Sequence, residues 1–523
     1  MSDNVSFLLQ DRVSLASESH STDTAIVMGS ERLTYDELER TSNQMARLLI
    51  ELGVQAGDRV CLLQPKAPIA IVSMLATLKA GGVYVPLDIS SPAPRVQMIL
   101  ESAEPRVVLG CSASGELADS LDLQAELGSV DGVLENAAFG PGAQVDFDDG
   151  PLPTITGPED PAHILFTSGS TGAPKGVVIT HAMVSAFLDW ALPYFGQQPG
   201  DRISGHPPLH FDLSTFDIYG TLSSGAELHL PPPNILLPQH LASFIREAEL
   251  TQWFSVPSTF AYMMRGNAIQ DGDFPSLKRI IWCGEVLPPA VLAHWMERVP
   301  QPSYTNLYGP TEATIASSFH TIDSAPRDMT TPIPIGTPCT GEDIHVLSEE
   351  LQPLAPGEIG ELHIEGVGLS PGYWRDQQKT QAAFITDPAT GRRLYRTGDL
   401  GRQDVEGVLH YVGRRDSQIK SRGYRIELGE IETALSAIDG VAECAILAVP
   451  SDGFEGVTIC CAWTSLVDTA LDTLKLRRSL ADALPSYMLP SQWLQLEVLP
   501  KNISGKIDRV LLKQRFTEKS RHG

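Results

Sequence analysis

The segment Phe166–Val177, FTSGSTGAPKGV, constrains this chain more than any other. An apolar run, HILF (163–166), feeds it, and Thr180 is placed as the N-cap of a following helix. A short apolar element, a loop rich in Gly, Ser and Thr, and then a helix together form a unit of layered α/β structure. Glycines let backbone N–H groups crowd around an anion, hydroxyls add donors, and Lys175 adds positive charge. Thr167, Ser168, Gly169, Ser170, Thr171, Gly172 and Lys175 are therefore expected to grip phosphate. The order is not the Walker loop G-x-x-x-x-G-K-[ST], because Pro174 precedes Lys175 and Gly176 follows it. A merely flexible polar loop would account for the glycines alone.

The rest of the chain supplies the layers. Thr34–Leu52 reads as an amphipathic helix: Thr34 and Glu37 make a capping box, Leu38, Met45, Leu48, Leu49 and Leu52 share a face, and Gly53 stops it. DRVCLLQ (58–64) reads as a short buried strand, 68–80 as a second helix and YVPLD (84–88) as extended chain. This alternation runs to about residue 320. From about 332 the texture changes to short alternating runs punctuated by Gly and Pro, such as GELHIEG and GVLHYVG, which predict antiparallel β-structure. A third region, from Asp416, predicts a helix over Leu428–Ile438 and strands near Val441–Ala448 and Thr458–Thr464. Since 523 residues exceed one hydrophobic core, the chain is divided at about 415 into a 1–415 core and a 416–523 subdomain.

Charge narrows the partners. With 64 acidic against 38 basic residues the formal net charge is −26, a field that repels nucleic acid backbones and anionic membranes. Seven scattered cysteines without C-x-x-C spacing suit free thiols in a reducing compartment. The N-terminus has no signal-peptide pattern, and the apolar stretches are too short to span a bilayer, so a cytoplasmic location is expected.

Ten segments in order, LTYDEL (33–38), LKAGGVYVPLD (78–88), FTSGSTGAPKGV, FDLS (211–214), NLYGPTE (306–312), GELHIEGVGLSPGYW (360–374), YRTGDL (395–400), GRRDSQIKSRGYRIELGEIE (413–432), LPSYMLP (484–490) and ISGKIDR (503–509), closely resemble the core motifs of adenylate-forming enzymes, specifically the adenylation domains of nonribosomal peptide synthetases. The resemblance covers nearly the whole chain. It implies an α/β fold: a large N-terminal domain of two doubly wound α/β subdomains plus a distorted β-barrel, and a small mobile α+β C-terminal domain. It implies ATP and Mg²⁺ as cofactors. Asn306 would bond adenine, Tyr308 stack on it, Thr311 touch the α-phosphate and Glu312 hold Mg²⁺; Asp399 would accept both ribose hydroxyls, Arg414 sit near ribose and phosphate, and Gly284, Gly309 and Tyr411 also surround the nucleotide. Lys506 would bridge the substrate carboxylate and the phosphoryl group; Ser504 stands where asparagine is commoner. Asp416 would be a hinge, and Gly423 would line the path of a phosphopantetheine arm.

Within that resemblance, Asp212 would pair with a substrate ammonium, which marks an amino acid rather than an aryl or fatty acid. Leu213, Phe216, Ser255, Ile281, Cys283, Leu307, Ile315 and Ala316 would form the rest of the pocket. With no charge among them a charged side chain would lack a partner, so a small neutral amino acid is expected: alanine first, then serine, glycine, cysteine or another small aliphatic one, with a β-amino acid still open. No carrier, condensation or thioesterase motif is found, so the expected acceptor is a separate carrier protein bearing phosphopantetheine. Lys475, Arg477 and Arg478 are candidates to meet an acidic carrier, although a solvated charged helix face is the favoured explanation of them. An acyl- or aryl-CoA ligase and a noncatalytic binding relative are the alternatives; Asp212 argues against the first, and intact Lys175, Glu312, Asp399 and Lys506 argue against the second.

Overall fold

The computed structural model describes residues 7–169, 172–232, 235, 237–451, 456–466, 471–502 and 506–522. The chain divides into two compact units: one of 1–89, 100–166 and 176–415, the other of 90–99, 167–175 and 416–523.

Two largely parallel sheets build the first unit. One has six strands, with Arg59–Leu63 and Val83–Pro86 at its centre and the pair Pro161–Thr167 and Lys175–Thr180 at one edge. The other has nine. Its interior strands, from Ser303–Tyr308 through Arg279–Trp282, Gln252–Ser255, Arg202–Ser204 and Glu227–His229 to Thr24–Met28, are parallel, and antiparallel strands close both edges. Strands buried on both faces are predominantly apolar; Val83–Pro86 and Arg279–Trp282 are buried at every position, and the one charge among them, Arg279, is paired with Asp201. Helices supply the cover. Tyr35–Glu51 starts from the capping box of Thr34 and Glu37, with both reciprocal bonds present. In Pro68–Lys79 every residue but Ile69 is buried, the mark of a helix enclosed on all sides. Its one cation, Lys79, is paired to Glu39 at 2.8 Å and bonded to Ser42 and Asn43. Between the Gly-rich segment and the helix His181–Phe195 lies a strand, Lys175–Thr180, that the sequence reading did not separate from the loop.

The antiparallel texture after 332 is a five-stranded sheet in which Arg393–Gln403 pairs with Gly360–Gly366, Phe384–Thr386 and Leu409–Arg414. A register shift between Leu400 and Gly401 marks a bulge there, which bends such a strand.

In the second unit the three-stranded sheet Val441–Pro450, Val457–Ser465 and Gln492–Gln495 carries a core on each face. Alternation sorts the side chains. Ile446, Ile459, Cys461 and Trp463 join the helices Leu428–Ser436 and Thr473–Ala481, whereas Ala445, Leu447, Val449, Cys460 and Ala462 meet Leu512 and Phe516 of the helix Arg509–His522.

Candidate active site

The strand Ser303–Tyr308 and the turn after it gather one part of the site in the first unit. Asn306 is buried and its side-chain amide donates to the Pro334 carbonyl at 2.8 Å. The Tyr308 hydroxyl donates to Asp399 at 2.7 Å, and Arg414 donates to the other Asp399 oxygen at 2.6 Å. Residues far apart in sequence thus form one buried set, with Asp399 only 4% exposed. Antiparallel pairing makes this possible, because the ladder sets Asp399 opposite Arg414. Burial, and then the Asp399 carboxylate, push the Tyr308 phenol well above its ordinary value, so it stays protonated and able to donate. Tyr411 lies half-buried on the same strand as Arg414.

Thr311 and Glu312 sit in the short turn Thr311–Ala313. Glu312 is fully buried and accepts a hydrogen bond from the Tyr373 hydroxyl at 2.7 Å. Tyr373 belongs to the quoted motif GELHIEGVGLSPGYW, but its role escaped the sequence reading. Thr314 and Ile315 then adopt φ of +53° and +68°. A β-branched residue at such φ is costly and persists only where its surroundings enforce it. One enforcing contact is visible: a Cβ on Gly309 would stand 2.5 Å from the Ala316 Cα, so only glycine lets the two backbone stretches pass.

Leu213, Phe216, Ile281, Cys283, Leu307, Ile315 and Ala316 all belong to one buried apolar cluster. Cys283 donates weakly to the Ile315 carbonyl at 3.8 Å. Asp212, 9% exposed, opens the short helix that carries Leu213 and leads into Phe216. Ser255, at the end of the strand Gln252–Ser255, has its hydroxyl 3.1 Å from the His206 Nδ1. His206 was also missed; it lies in HPPLHF, just ahead of FDLS. Gly284, at φ +98°, turns the chain after Cys283.

The phosphate loop, Lys506, Asp416 and Gly423 belong to the second unit. Thr167 Oγ1 is buried without a hydrogen-bond partner among the described residues. Ser168 Oγ donates to the Arg425 carbonyl, and the Gly169 N–H donates to Glu430 at 3.3 Å. Glu430 is in turn paired with Arg95, both buried. Gly172, at φ +85°, donates its N–H to the Gly169 carbonyl at 3.0 Å. Lys175 is half-buried at the start of its strand. Ser170, Thr171 and Ser504 lie outside the described residues. Lys506 is exposed, its backbone exchanging two hydrogen bonds with Asn502. Asp416 caps the N–H of Gln418 at 3.1 Å. Gly423 and Arg422, both at positive φ, form the two-residue turn of the hairpin Gln418–Ser421 and Tyr424–Glu427, a turn that favours glycine by itself.

The AMP-binding enzyme family model matches residues 14–374, and that of the AMP-binding enzyme C-terminal domain matches residues 430–506. The chain belongs to the AMP-binding enzyme family. Two relatives are named L-proline–[L-prolyl-carrier protein] ligase. The one from Pseudomonas fluorescens is 37% identical over 97% of this chain and 98% of its own. The one from Streptomyces coelicolor is 36% identical over 94% and 93%. Among solved structures, the Vibrio cholerae adenylation domain AlmE, in complex with glycyl-adenosine-5′-phosphate, superposes with a TM-score of 0.86 at 25% identity, over 99% of both chains. This AMP-binding enzyme is an ATP-using, adenylate-forming ligase of the nonribosomal peptide synthetase adenylation type, and its α/β fold with a larger N-terminal and a smaller C-terminal part is the one its motifs implied. Among the described residues no helix is long and apolar enough to cross a membrane.

Proposed function

We propose that this ligase activates a small neutral α-amino acid, with L-proline and L-alanine first among candidates, and passes the acyl group to the phosphopantetheine thiol of a carrier protein supplied as a separate molecule. The observation that carries the reading is a buried carboxylate, Asp212, directly ahead of Leu213 and Phe216, which share one apolar core with Ile281, Cys283, Leu307, Ile315 and Ala316. A carboxylate at that place can pair with the ammonium of an amino acid, including the secondary ammonium of proline. The absence of charge among those side chains favours alanine; the two relatives named for L-proline add that amino acid.

In the first half-reaction a carboxylate oxygen of the amino acid attacks the α-phosphorus, the bond to the β-phosphate oxygen breaks, and pyrophosphate leaves. In the second, the thiolate attacks the acyl carbon, the C–S bond forms and AMP departs. Thr167 supports the nucleotide role of the Gly-rich loop, since its buried hydroxyl, without a partner among the described residues, can donate to an acceptor such as a phosphate oxygen. Asn306, Tyr308, Asp399 and Arg414 would hold adenosine, with Gly284, Gly309 and Tyr411 around it, and Thr311 would meet the α-phosphate. Glu312 would hold Mg²⁺, which neutralises the triphosphate. A single buried carboxylate fits an ion carried largely by phosphate and water. Lys506 would stand between carboxylate and phosphate at the moment of attack, where a cation lowers the barrier most. Asp416 would act as hinge between the half-reactions, and Gly423 would leave room for the pantetheine arm.

Exchange of labelled pyrophosphate into ATP, measured across a panel of acids, tests the reading. Exchange is expected with L-proline or L-alanine and not with charged amino acids. Exchange with an aryl or fatty acid alone would overturn it.

A further inference from the structure

Lys66 follows the strand Arg59–Leu63 of one parallel sheet, and Gly205, His206 and Pro207 follow the strand Arg202–Ser204 of the other. The carboxyl ends of parallel strands are where α/β folds place ligands. The Lys66 Nζ donates to the carbonyl oxygens of all three residues, at 2.5 Å for His206 and 2.8 Å for Pro207. An ammonium has three N–H donors, so three consecutive carbonyls consume its whole capacity. Extended chain turns successive residues to opposite sides; for three carbonyls in a row to converge on one nitrogen, the backbone must curl around it. Asp217, fully buried, is the carboxyl whose charge opposes the fall of the Lys66 pKa to about 7 that burial causes.

The curl has consequences downstream. His206, the middle residue, turns its ring to the Ser255 hydroxyl at 3.1 Å and lies 4.7 Å from the Trp253 ring. Phe211 N–H then bonds the Pro208 carbonyl, the Ser214 hydroxyl bonds the Leu209 and Phe211 carbonyls, and Thr215 N–H bonds that of Asp212. Local hydrogen bonds thus brace the stretch of chain that runs from the carbonyls held by the lysine to Asp212.

We infer that Lys66 is a positioning residue for the amino acid: by gathering the carbonyls of Gly205, His206 and Pro207 it sets where the His206–Ser255 pair and Asp212 stand. This rests on Asp212 and Ser255 being the amino acid contacts proposed for this ligase. Its own signature is a split between substrates, because none of the three carbonyls belongs to a residue assigned to ATP.

The test compares wild type with Lys66→Met and with Lys66→Met/Asp217→Asn; the double variant avoids leaving a buried carboxylate unpaired. Two measurements are made: pyrophosphate-exchange kinetics, and amide hydrogen exchange across 205–212. The expected result is faster hydrogen exchange in that segment and an amino acid KM raised about tenfold or more, with the ATP KM and kcat held within about twofold. Unchanged hydrogen exchange, an unchanged amino acid KM, or an equal loss toward both substrates overturns the inference. If the wild type exchanges with no amino acid, the substrate reading fails instead, and hydrogen exchange across 205–212 then decides the role of Lys66 on its own.

Discussion

The two parts of the chain are built to different electrical and structural standards. Residues 1–415 hold 50 acidic and 25 basic side chains, whereas 416–523 hold 14 and 13. Nearly all of the chain's net negative charge therefore lies in the larger part. The candidate site residues follow the same division. Several of those in the first unit are buried or half-buried and bonded to one another, as in Tyr308–Asp399–Arg414 and Glu312–Tyr373. In the second unit Ser168 and Gly169 are likewise buried and bonded, to Arg425 and Glu430, whereas Lys506 is exposed and Gly423 occupies a hairpin turn. A preorganised receptor holds its dipoles in place before the substrate arrives. A reagent needed in only one half-reaction gains from being presented on a separate, balanced unit.

The most severe way to test that division is to damage the small unit alone. Phe516 is fully buried against Ala445, Leu447 and Val449. Phe516→Ala should cost about 3–5 kcal/mol, seen in a thermal scan as an early transition that leaves the larger unit to melt at its usual temperature. A single transition shifted as a whole would mean the two units fold as one. Next in size is Lys506→Ala, which should lower adenylate formation about 10²–10³-fold while sparing transfer from a synthetic aminoacyl adenylate to the carrier. Equal loss of both steps would erase the contrast between a fixed receptor and a delivered cation.

The smallest effect sharpens the picture of the larger unit. Glu342 accepts the Gly368 N–H at 2.7 Å, and burial pushes its carboxyl up to about 7 from 4.5. The folded chain therefore holds a proton that the unfolded chain releases between those values. That stabilisation is complete below the window and lost as pH rises through it. Glu342→Gln should stabilise the protein at pH 8 by about 1–2 kcal/mol and change little at pH 5. An equal melting shift at both values would place the carboxyl in an ordinary environment.

Much of this was legible in the sequence, for local reasons. The Thr34–Glu37 capping box is written within four residues, and both of its bonds are present. The motifs carry their own order, and the alternation of GELHIEG is a period that any sheet of this kind shows. The illegible parts depend on partners far away. Lys66 meets carbonyls about 140 positions downstream, Tyr373 reaches Glu312 across 61, and His206 meets Ser255 across 49. Period and propensity report which face of an element is buried, not what lies against it. The left-handed Ile315 contradicts its own β-branched preference; the close passage of Gly309 and the bond from Thr314 to the Gly368 carbonyl, both distant in sequence, hold the stretch that carries it.

The central claim is that Asp212 receives the substrate's ammonium, and it can be measured as a ratio. The efficiency of pyrophosphate exchange with an amino acid is divided by that with its deaminated counterpart, propionate for L-alanine or cyclopentanecarboxylate for L-proline, in wild type and in Asp212→Asn. The account expects wild type to favour the amino acid by at least about 100-fold and the variant to lose most of that preference. A preference that survives intact in Asp212→Asn would contradict it.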